Sequence, residues 1–330
     1  MNLSYRTTGI DDFEACARIL QGGFAFEENV RARLPAIWRH LYDEGCMISA
    51  VVEDHERPPN TRIVAFGASV FVTDQFMKEV QENPFPYLCV RVIDRVLKND
   101  SPILTPAAAR QANSCDGLNL LMLHHSWAEE ILSTAEAPLV RTQVILASLD
   151  HHSGYNLKEI VAECIGDEDR EWVLSGGSFH LRSIYDSYYE RQPLPPPNQR
   201  PFLVGLTRAE ATARESSTLS PLFVYTPPRF FFRAGEQKLL KQALVGETDA
   251  DLASTLHISL STVKKRWGAI YERVAAQEPE LLPNDGDEDR QIRGAQKRHF
   301  LLRYLRHHPE ELRPFGLPHP ELKASVARRL

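Results

Sequence analysis

The pattern of apolar and polar positions divides the first 190 residues into alternating helix-like and strand-like segments. Apolar residues recur at helical spacing in segments 11–20, 27–42 and 156–164. Strand-like runs occur at 47–52, 63–72, 87–92 and 118–123, the first two separated by the turn-rich DHERPPNTR. Because the two periods alternate along the chain, we predict an α/β or α+β domain over residues 1–190.

A proline-rich segment follows this domain. The sequence PLPPPNQRP at 193–201 has four prolines in its first five residues, a composition that excludes a helix or a central strand there. We therefore predict a linker and connecting segment over 191–228. The apolar run LFVYTPPRFFF at 222–232 fits either a strand on the first domain or a stalk that packs on the second.

The pattern becomes helical from Arg233 onward and predicts three helices within residues 229–276. Gly246 ends the first helix, and Thr248 is the N-cap of a short second helix. After the three residues 257–259 a third helix begins, capped by Ser259. The predicted core positions of this all-α module share one buried face and are Leu240, Leu252, Ala253, Leu256, Ile258, Val263, Trp267 and Ile270.

The first turns of the third helix carry polar and basic residues on the side away from this core. They are Ser261, Thr262, Lys264, Lys265 and Arg266. A short helix, a tight turn and a helix with a basic amino-terminal half have the geometry that enters a DNA major groove. We predict that these five residues contact phosphates and base edges.

The module resembles the LuxR-type (NarL-like) helix-turn-helix family over about 45 residues. The matching positions follow the family pattern of an acid, a glycine, a small polar cap, Leu-Ala, Ile-Ser-x-x-Thr-Val-Lys and Ile-Tyr. They are Glu236, Gly246, Thr248, Leu252, Ala253, Ile258, Ser259, Thr262, Val263, Lys264, Ile270 and Tyr271. His257 stands where glycine is usual, and Arg266 where histidine is usual. The resemblance implies a homodimer on paired DNA half-sites.

The net charge of -6 is distributed unevenly, with an acidic first part of the chain and basic segments in the last hundred residues. Residues 1–228 carry 20 basic against 30 acidic side chains, whereas residues 229–276 carry 8 against 5. In the extension 277–330, an acidic loop precedes residues 290–330, which carry 10 basic against 3 acidic side chains. The basic helix predicted there fits either added phosphate contact or dimerisation, or a helix that packs back on the protein.

The arrangement of the first domain resembles the GNAT acyltransferase fold over residues 3–180. The resemblance lies in a first strand, two helices and the paired strands ISAVVEDHERPPNTRIVAFGASVFV. That family holds the acyl-CoA pyrophosphate on a glycine-rich loop before a helix. The nearest candidate is DHHSGYNLKEI, with Gly154 before the predicted helix 156–164, but the second glycine and the arginine of the pattern are missing. The resemblance thus implies acyl-CoA as a possible ligand.

Other chemistry has little support in the sequence. The pairs His124-His125 and His151-His152 point to opposite faces if they lie on strands, so no metal site is predicted. The five cysteines are scattered without a C-x-x-C and indicate buried thiols. The motifs G-x-S-x-G, H-E-x-x-H and the P-loop are absent. No leader pattern or long apolar run occurs, so we expect a cytoplasmic protein without membrane contact.

These patterns together predict a LuxR-type transcription regulator rather than an enzyme. Its expected partners are double-stranded DNA, a second copy of the chain and a small-molecule effector of the amino-terminal domain, which would sense the effector or dimerise. Two alternatives stay open. One is a GNAT-like acyltransferase with an appended helical domain, and the other is a protein–protein interaction module.

Overall fold

The computed structural model describes residues 1–20, 25–166, 170–171, 173–174, 179–213, 217–282 and 290–316. The chain forms two compact units, Met1–Val224 and Tyr225–Leu330. Each unit has its own buried core.

A mixed sheet forms the centre of the amino-terminal unit. In the described part of the chain its seven strands are β1 (Leu3–Thr7), β2 (Met47–Asp54), β3 (Ile63–Val72), β4 (Leu118–Trp127), β5 (Leu157–Ile165), β6 (His180–Ser183) and β7 (Pro201–Thr207). They lie in the order β1-β2-β3-β4-β5-β7-β6. The pair β4–β5 is parallel, and the other neighbouring pairs are antiparallel.

Helices cover both faces of this sheet. Among the described residues they are α1 (Phe13–Arg18), α2 (Glu28–Arg31), α3 (Leu34–Asp43), α4 (Asp74–Glu82), α5 (Leu88–Leu97), α6 (Pro106–Ser114), α7 (Ala137–His152), α8 (Asp186–Tyr189) and α9 (Arg208–Ala213). Helices α1, α3, α4 and α5 bury their apolar sides on one face, around Trp38. Helices α6, α7 and α9 cover the other face. The parallel pair β4–β5 is joined through α7, as a parallel connection requires.

The predicted mixed α/β fold of this domain is confirmed, including the first strand, the helices that follow it and the paired strands at 47–52 and 63–72. Two elements were predicted wrongly. Segment 87–92 is the start of α5, and segment 156–164 is β5. Because β5 is covered on both faces, its apolar residues form a nearly continuous run that matches helical spacing by coincidence. The predicted linker contains β7, so the sheet extends beyond residue 190.

The carboxy-terminal unit is helical in its described part. Its helices are α10 (Ala234–Leu244), α11 (Asp249–Thr255), α12 (Leu260–Gln277) and α13 (Arg290–His307). The apolar run at 222–232 is divided between the two cores, which neither predicted alternative anticipated. Leu222 and Phe223 pack in the amino-terminal unit, whereas Phe230 and Phe232 pack among the carboxy-terminal helices. Within the part of the chain that the structure describes, no helix has the length and apolar character to cross a membrane.

Candidate functional sites

The helix caps predicted in the carboxy-terminal unit are present. The Thr248 hydroxyl accepts the backbone N–H of Asp251 at 3.3 Å, and the Ser259 hydroxyl accepts that of Thr262 at 3.2 Å. His257 has φ of 51°, the left-handed conformation that favours glycine, at the position where the resemblance expects one. Of the predicted core, Leu240, Leu252, Val263, Trp267 and Ile270 are buried, and Ala253, Leu256 and Ile258 are half-buried.

The structure divides the residues predicted to contact DNA into two groups. Ser261, Lys264 and Lys265 are exposed, and Thr262 is half-buried beside its cap. Arg266 lies away from the lysines, since its guanidinium packs on Gly235 of α10 and donates to the carbonyl oxygen there at 3.4 Å. Placing Arg266 on the open face of the helix was therefore wrong.

Helix α13 packs back on this unit. Leu301, Leu302 and Leu305 lie in the helical core. Arg298 donates to Oδ1 of Asp249 at 2.9 Å and to the carbonyl oxygen of Glu247, and its guanidinium lies 5.0 Å from the ring centre of Trp267. The structure thus agrees with the alternative in which the basic helix of the extension packs back on the protein. At least one of its basic side chains, that of Arg298, takes part in this packing.

The amino-terminal unit has a cleft where the two parallel strands separate. The pairing of β4 with β5 runs from Leu118 opposite Leu157 to Met122 opposite Ala162. Past that point β4 carries an irregularity in its register with β3, and β5 stays paired only with β7 on its other edge. The resulting cleft has a volume of about 50 Å³ and is bordered by residues of α5 and of both strands, among them Cys89, His125 and Glu163.

Glu163 is the acidic side chain at this cleft. The backbone N–H groups of Tyr87 and Leu88 donate to its carboxylate at 2.9 and 2.8 Å, and the Tyr185 hydroxyl donates at 2.6 Å. Burial raises the pKa of Glu163 to about 7, and these hydrogen bonds offset part of that effect. Both tyrosines have left-handed backbone, φ of 65° and 60°, an uncommon conformation for bulky residues that clusters at functional sites.

Sequence reasoning missed Glu163 because it lies in the segment predicted as a helix. In a strand, Glu159, Val161 and Glu163 share one face and Ala162 and Cys164 the other. Two acids on one face of an otherwise apolar strand were the available signal. A buried carboxylate requires hydrogen-bond partners, and so it marks a built site.

The adjacent histidines of β4 face opposite sides of the sheet, as predicted. His124 lies under α3, where the indole N–H of Trp38 donates to its Nε2 at 3.1 Å. His125 lines a cavity on the α7 side. Burial lowers the pKa of His124 to about 3 and that of His125 to about 4. Among the described residues, no group of three or more metal-ligating side chains is found.

The residues present do not fit a coenzyme A pyrophosphate held in the family's manner. Gly154 precedes strand β5, not a helix, so the predicted anion loop has no helix N-terminus. The helix after β4 is α7, and the connection AEEILSTAE before it contains no glycine. At its end Glu136 accepts the backbone N–H and the hydroxyl of Ser133 at 2.8 and 2.9 Å. A carboxylate thus accepts a backbone N–H group within the connection where the family's glycine-rich loop would hold a phosphate.

Comparison with known proteins gives structural likenesses only. No protein-family model and no curated protein sequence matches the chain. A GNAT-family acetyltransferase from Bacillus cereus is 12% identical, with 63% of this chain and 98% of that chain covered and a TM-score of 0.33. Spermidine/spermine N-acetyltransferase from Vibrio cholerae is 10% identical, with 65% and 97% covered and a TM-score of 0.35. An N-acyl amino acid synthase from uncultured soil microbes is 10% identical, with 66% and 96% covered and a TM-score of 0.35.

The prediction of a LuxR-type, helix-turn-helix regulator that is not an enzyme is corrected by these findings. The proteins found are acetyltransferases and an acyl synthase, and no comparison supports the LuxR-type resemblance. The order of strands in the sheet agrees with the GNAT-like alternative. At these identities and TM-scores the likeness assigns no activity and no substrate. Both have to be inferred from the residues of the cleft. Double-stranded DNA, a homodimer and a small-molecule effector stay predictions.

Proposed function

We propose that the amino-terminal unit is an acyltransferase whose reaction takes place in the cleft between β4 and β5, with Glu163 as the general base. The observation that carries this proposal is a titratable carboxylate at the cleft whose pKa, about 7, is matched to proton transfer at neutral pH. Glu163 is half-buried, so its carboxylate is held by the protein and still borders the cleft.

The proposed chemistry is transfer of an acyl group from a thioester to an amine. The amine nitrogen attacks the thioester carbonyl carbon, a C–N bond forms, and Glu163 accepts the proton that the nitrogen loses. The C–S bond then breaks, and the departing thiolate takes up a proton. The products are an amide and a free thiol.

The neighbours of Glu163 are positioning residues in this scheme. Tyr185 and the backbone of Tyr87 and Leu88 fix the carboxylate by three donors from two different segments. Burial and the Glu163 carboxylate both raise the pKa of Tyr185 above its ordinary value, so its hydroxyl stays protonated and keeps donating. The arrangement holds a base whose free lone pairs point away from these donors.

For the acyl donor we propose only a chemical class, a thioester. Because the connection before α7 does not fit a pyrophosphate, no step is derived through coenzyme A. Small thioesters that lack the nucleotide, such as acyl-N-acetylcysteamines, are therefore the appropriate first probes, together with acetyl-CoA as the family's usual donor.

The experiment compares acyl transfer to a panel of amines by the full chain and by Glu163→Gln. We expect amide formation by the wild type and a loss of about 10²- to 10⁴-fold in the variant. Glu159→Gln is the matched control, since Glu159 lies on the same face of β5 and bonds Gln81 instead. Equal rates in wild type and Glu163→Gln, with both proteins folded, would refute the proposal.

A further inference from the structure

A second cavity lies on the other face of the sheet, directly behind the cleft. It has a volume of about 100 Å³ and is lined mainly by residues of α7, β4 and β5. Its lining is mostly apolar and includes Met122, Val144, Ile145, Ile160, Ala162 and Phe179. A mostly apolar lining of this kind favours apolar groups.

His125 brings a polar ring to this lining. The Nδ1 atom of His125 is buried and makes no hydrogen bond with any described residue. A buried polar atom without a partner costs free energy, so a ligand that bonds it gains affinity. His125 is neutral at pH 7, because burial lowers its pKa to about 4. One of its ring nitrogens therefore carries hydrogen and the other accepts.

The cavity and the cleft share part of their lining where the strands separate. Met122 and His125 border both spaces, and Glu163 borders the cleft. A group held between β4 and β5 can thus face Glu163 on one side of the sheet and extend into the apolar cavity on the other.

The volume limits what the cavity accepts. A cavity of about 150 Å³ holds benzene, with its six carbons, so about 100 Å³ corresponds to a chain of roughly four carbons. We propose that this cavity binds the short aliphatic chain of the transferred acyl group, about four to five carbons long, with the carbonyl oxygen hydrogen-bonded to Nδ1 of His125. This inference rests on the proposed acyltransferase function and names its substrate class.

The first experiment measures kcat/KM for acetyl, butyryl, pentanoyl and octanoyl N-acetylcysteamine thioesters with the full chain. Each buried methylene should raise kcat/KM about fourfold up to butyryl or pentanoyl, and octanoyl should be poor. Ala162→Leu fills the cavity and should abolish the preference for butyryl over acetyl. Ala17→Leu adds the same side chain in α1, which covers the other face of the sheet, and should leave that preference unchanged. A flat chain-length profile in the wild type would overturn the inference.

The second experiment tests the cavity without catalysis, by titrating pentanamide into the full chain and following the NMR spectrum. We expect a Kd of about 1 mM, weakened about two- to tenfold in His125→Leu and lost in Ala162→Leu. Binding of this kind without any thioester transfer would overturn the acyl assignment and identify a free small molecule as the ligand. Absence of binding up to about 10 mM would overturn the cavity itself as a binding site.

Discussion

Trp38 donates its indole N–H to Nε2 of His124 at 3.1 Å, and this bond fixes the neutral form of a histidine that is almost completely buried. The ring of His124 also stacks on Phe66, and burial among these aromatic side chains lowers the pKa of His124 and favours an uncharged ring. Protonation at Nε2 would replace an acceptor by a second donor facing the indole.

This relationship predicts that acid destabilises the amino-terminal unit. The pKa of His124 is lowered from 6.5 to about 3, so below pH 6.5 the unfolded chain takes up a proton that the folded chain refuses. The free energy of unfolding should therefore fall with pH, by about 2 kcal/mol between pH 6.5 and pH 5 for this residue alone. Urea unfolding of the wild type and His124→Phe measures the difference.

The variant should have a smaller acid slope, even if it is less stable at pH 7 because Trp38 loses its acceptor. His40→Gln is the control, since His40 is exposed on α3 and its loss should leave the slope unchanged. An identical slope in His124→Phe and wild type would show that His124 is protonated in the folded state.

Glu163 should act on stability in the opposite direction. Its pKa is raised from 4.5 to about 7, so between these values the folded chain binds a proton that the unfolded chain has released. This contribution to stability is complete below pH 4.5 and is lost as the pH rises to 7, by on the order of 2–3 kcal/mol. Glu163→Gln should remove this part of the pH dependence, as measured by urea unfolding from pH 4.5 to 8. A slope that is unchanged in the variant would mean that Glu163 is already ionised at pH 5.

Arg298 should stabilise the start of α11. Arg298→Ala removes the hydrogen bonds to Asp249 and Glu247 and the contact with the Trp267 ring, a loss of about 1–3 kcal/mol. Amide hydrogen exchange of peptides covering 247–256 should accelerate in this variant. Arg303→Ala changes an exposed arginine of the same helix and should not affect this exchange. Equal protection in both variants would contradict the role given to Arg298.

The coenzyme A part of a donor should not raise kcat/KM above that of a small thioester. Because the connection before α7 has no glycine and the Glu136 carboxylate accepts from Ser133 within it, the phosphates of acetyl-CoA lack the family's glycine-rich loop there. We expect acetyl-CoA and acetyl-N-acetylcysteamine to give kcat/KM values within about a factor of ten, since less than 1.4 kcal/mol separates them. Steady-state kinetics with free coenzyme A as a competitor measures this. Strong competitive inhibition by coenzyme A would reveal a phosphate site elsewhere.

The sequence predicts features that depend on local spacing better than those that depend on the whole sheet. The caps at Thr248 and Ser259 were predictable because each involves four consecutive residues. The strand at 157–165 was not predictable in this way. Its apolar residues match helical spacing, and they are recognised as a strand only when both faces of the sheet are known to be covered. Glu163 and its partners Tyr87 and Tyr185 come from three separate segments, and no short pattern connects them.

The same reasoning explains the position of Arg266. Its spacing on the helix places it beside Lys264 and Lys265, but a long side chain can turn toward a neighbouring helix, and Gly235 offers room for it there. The charge count of the module is unaffected, but fewer of its basic side chains than predicted lie on the open face of the helix.

The pH dependence of acyl transfer tests the central claim most directly. With an aromatic amine that stays uncharged across the range, kcat/KM of the full chain should rise with a midpoint near pH 7, the pKa of Glu163. Glu163→Gln should be about 10²- to 10⁴-fold slower and show no such rise, while its unfolding transition is retained. A variant that keeps the wild-type rate and midpoint would contradict the assignment of Glu163 as the base.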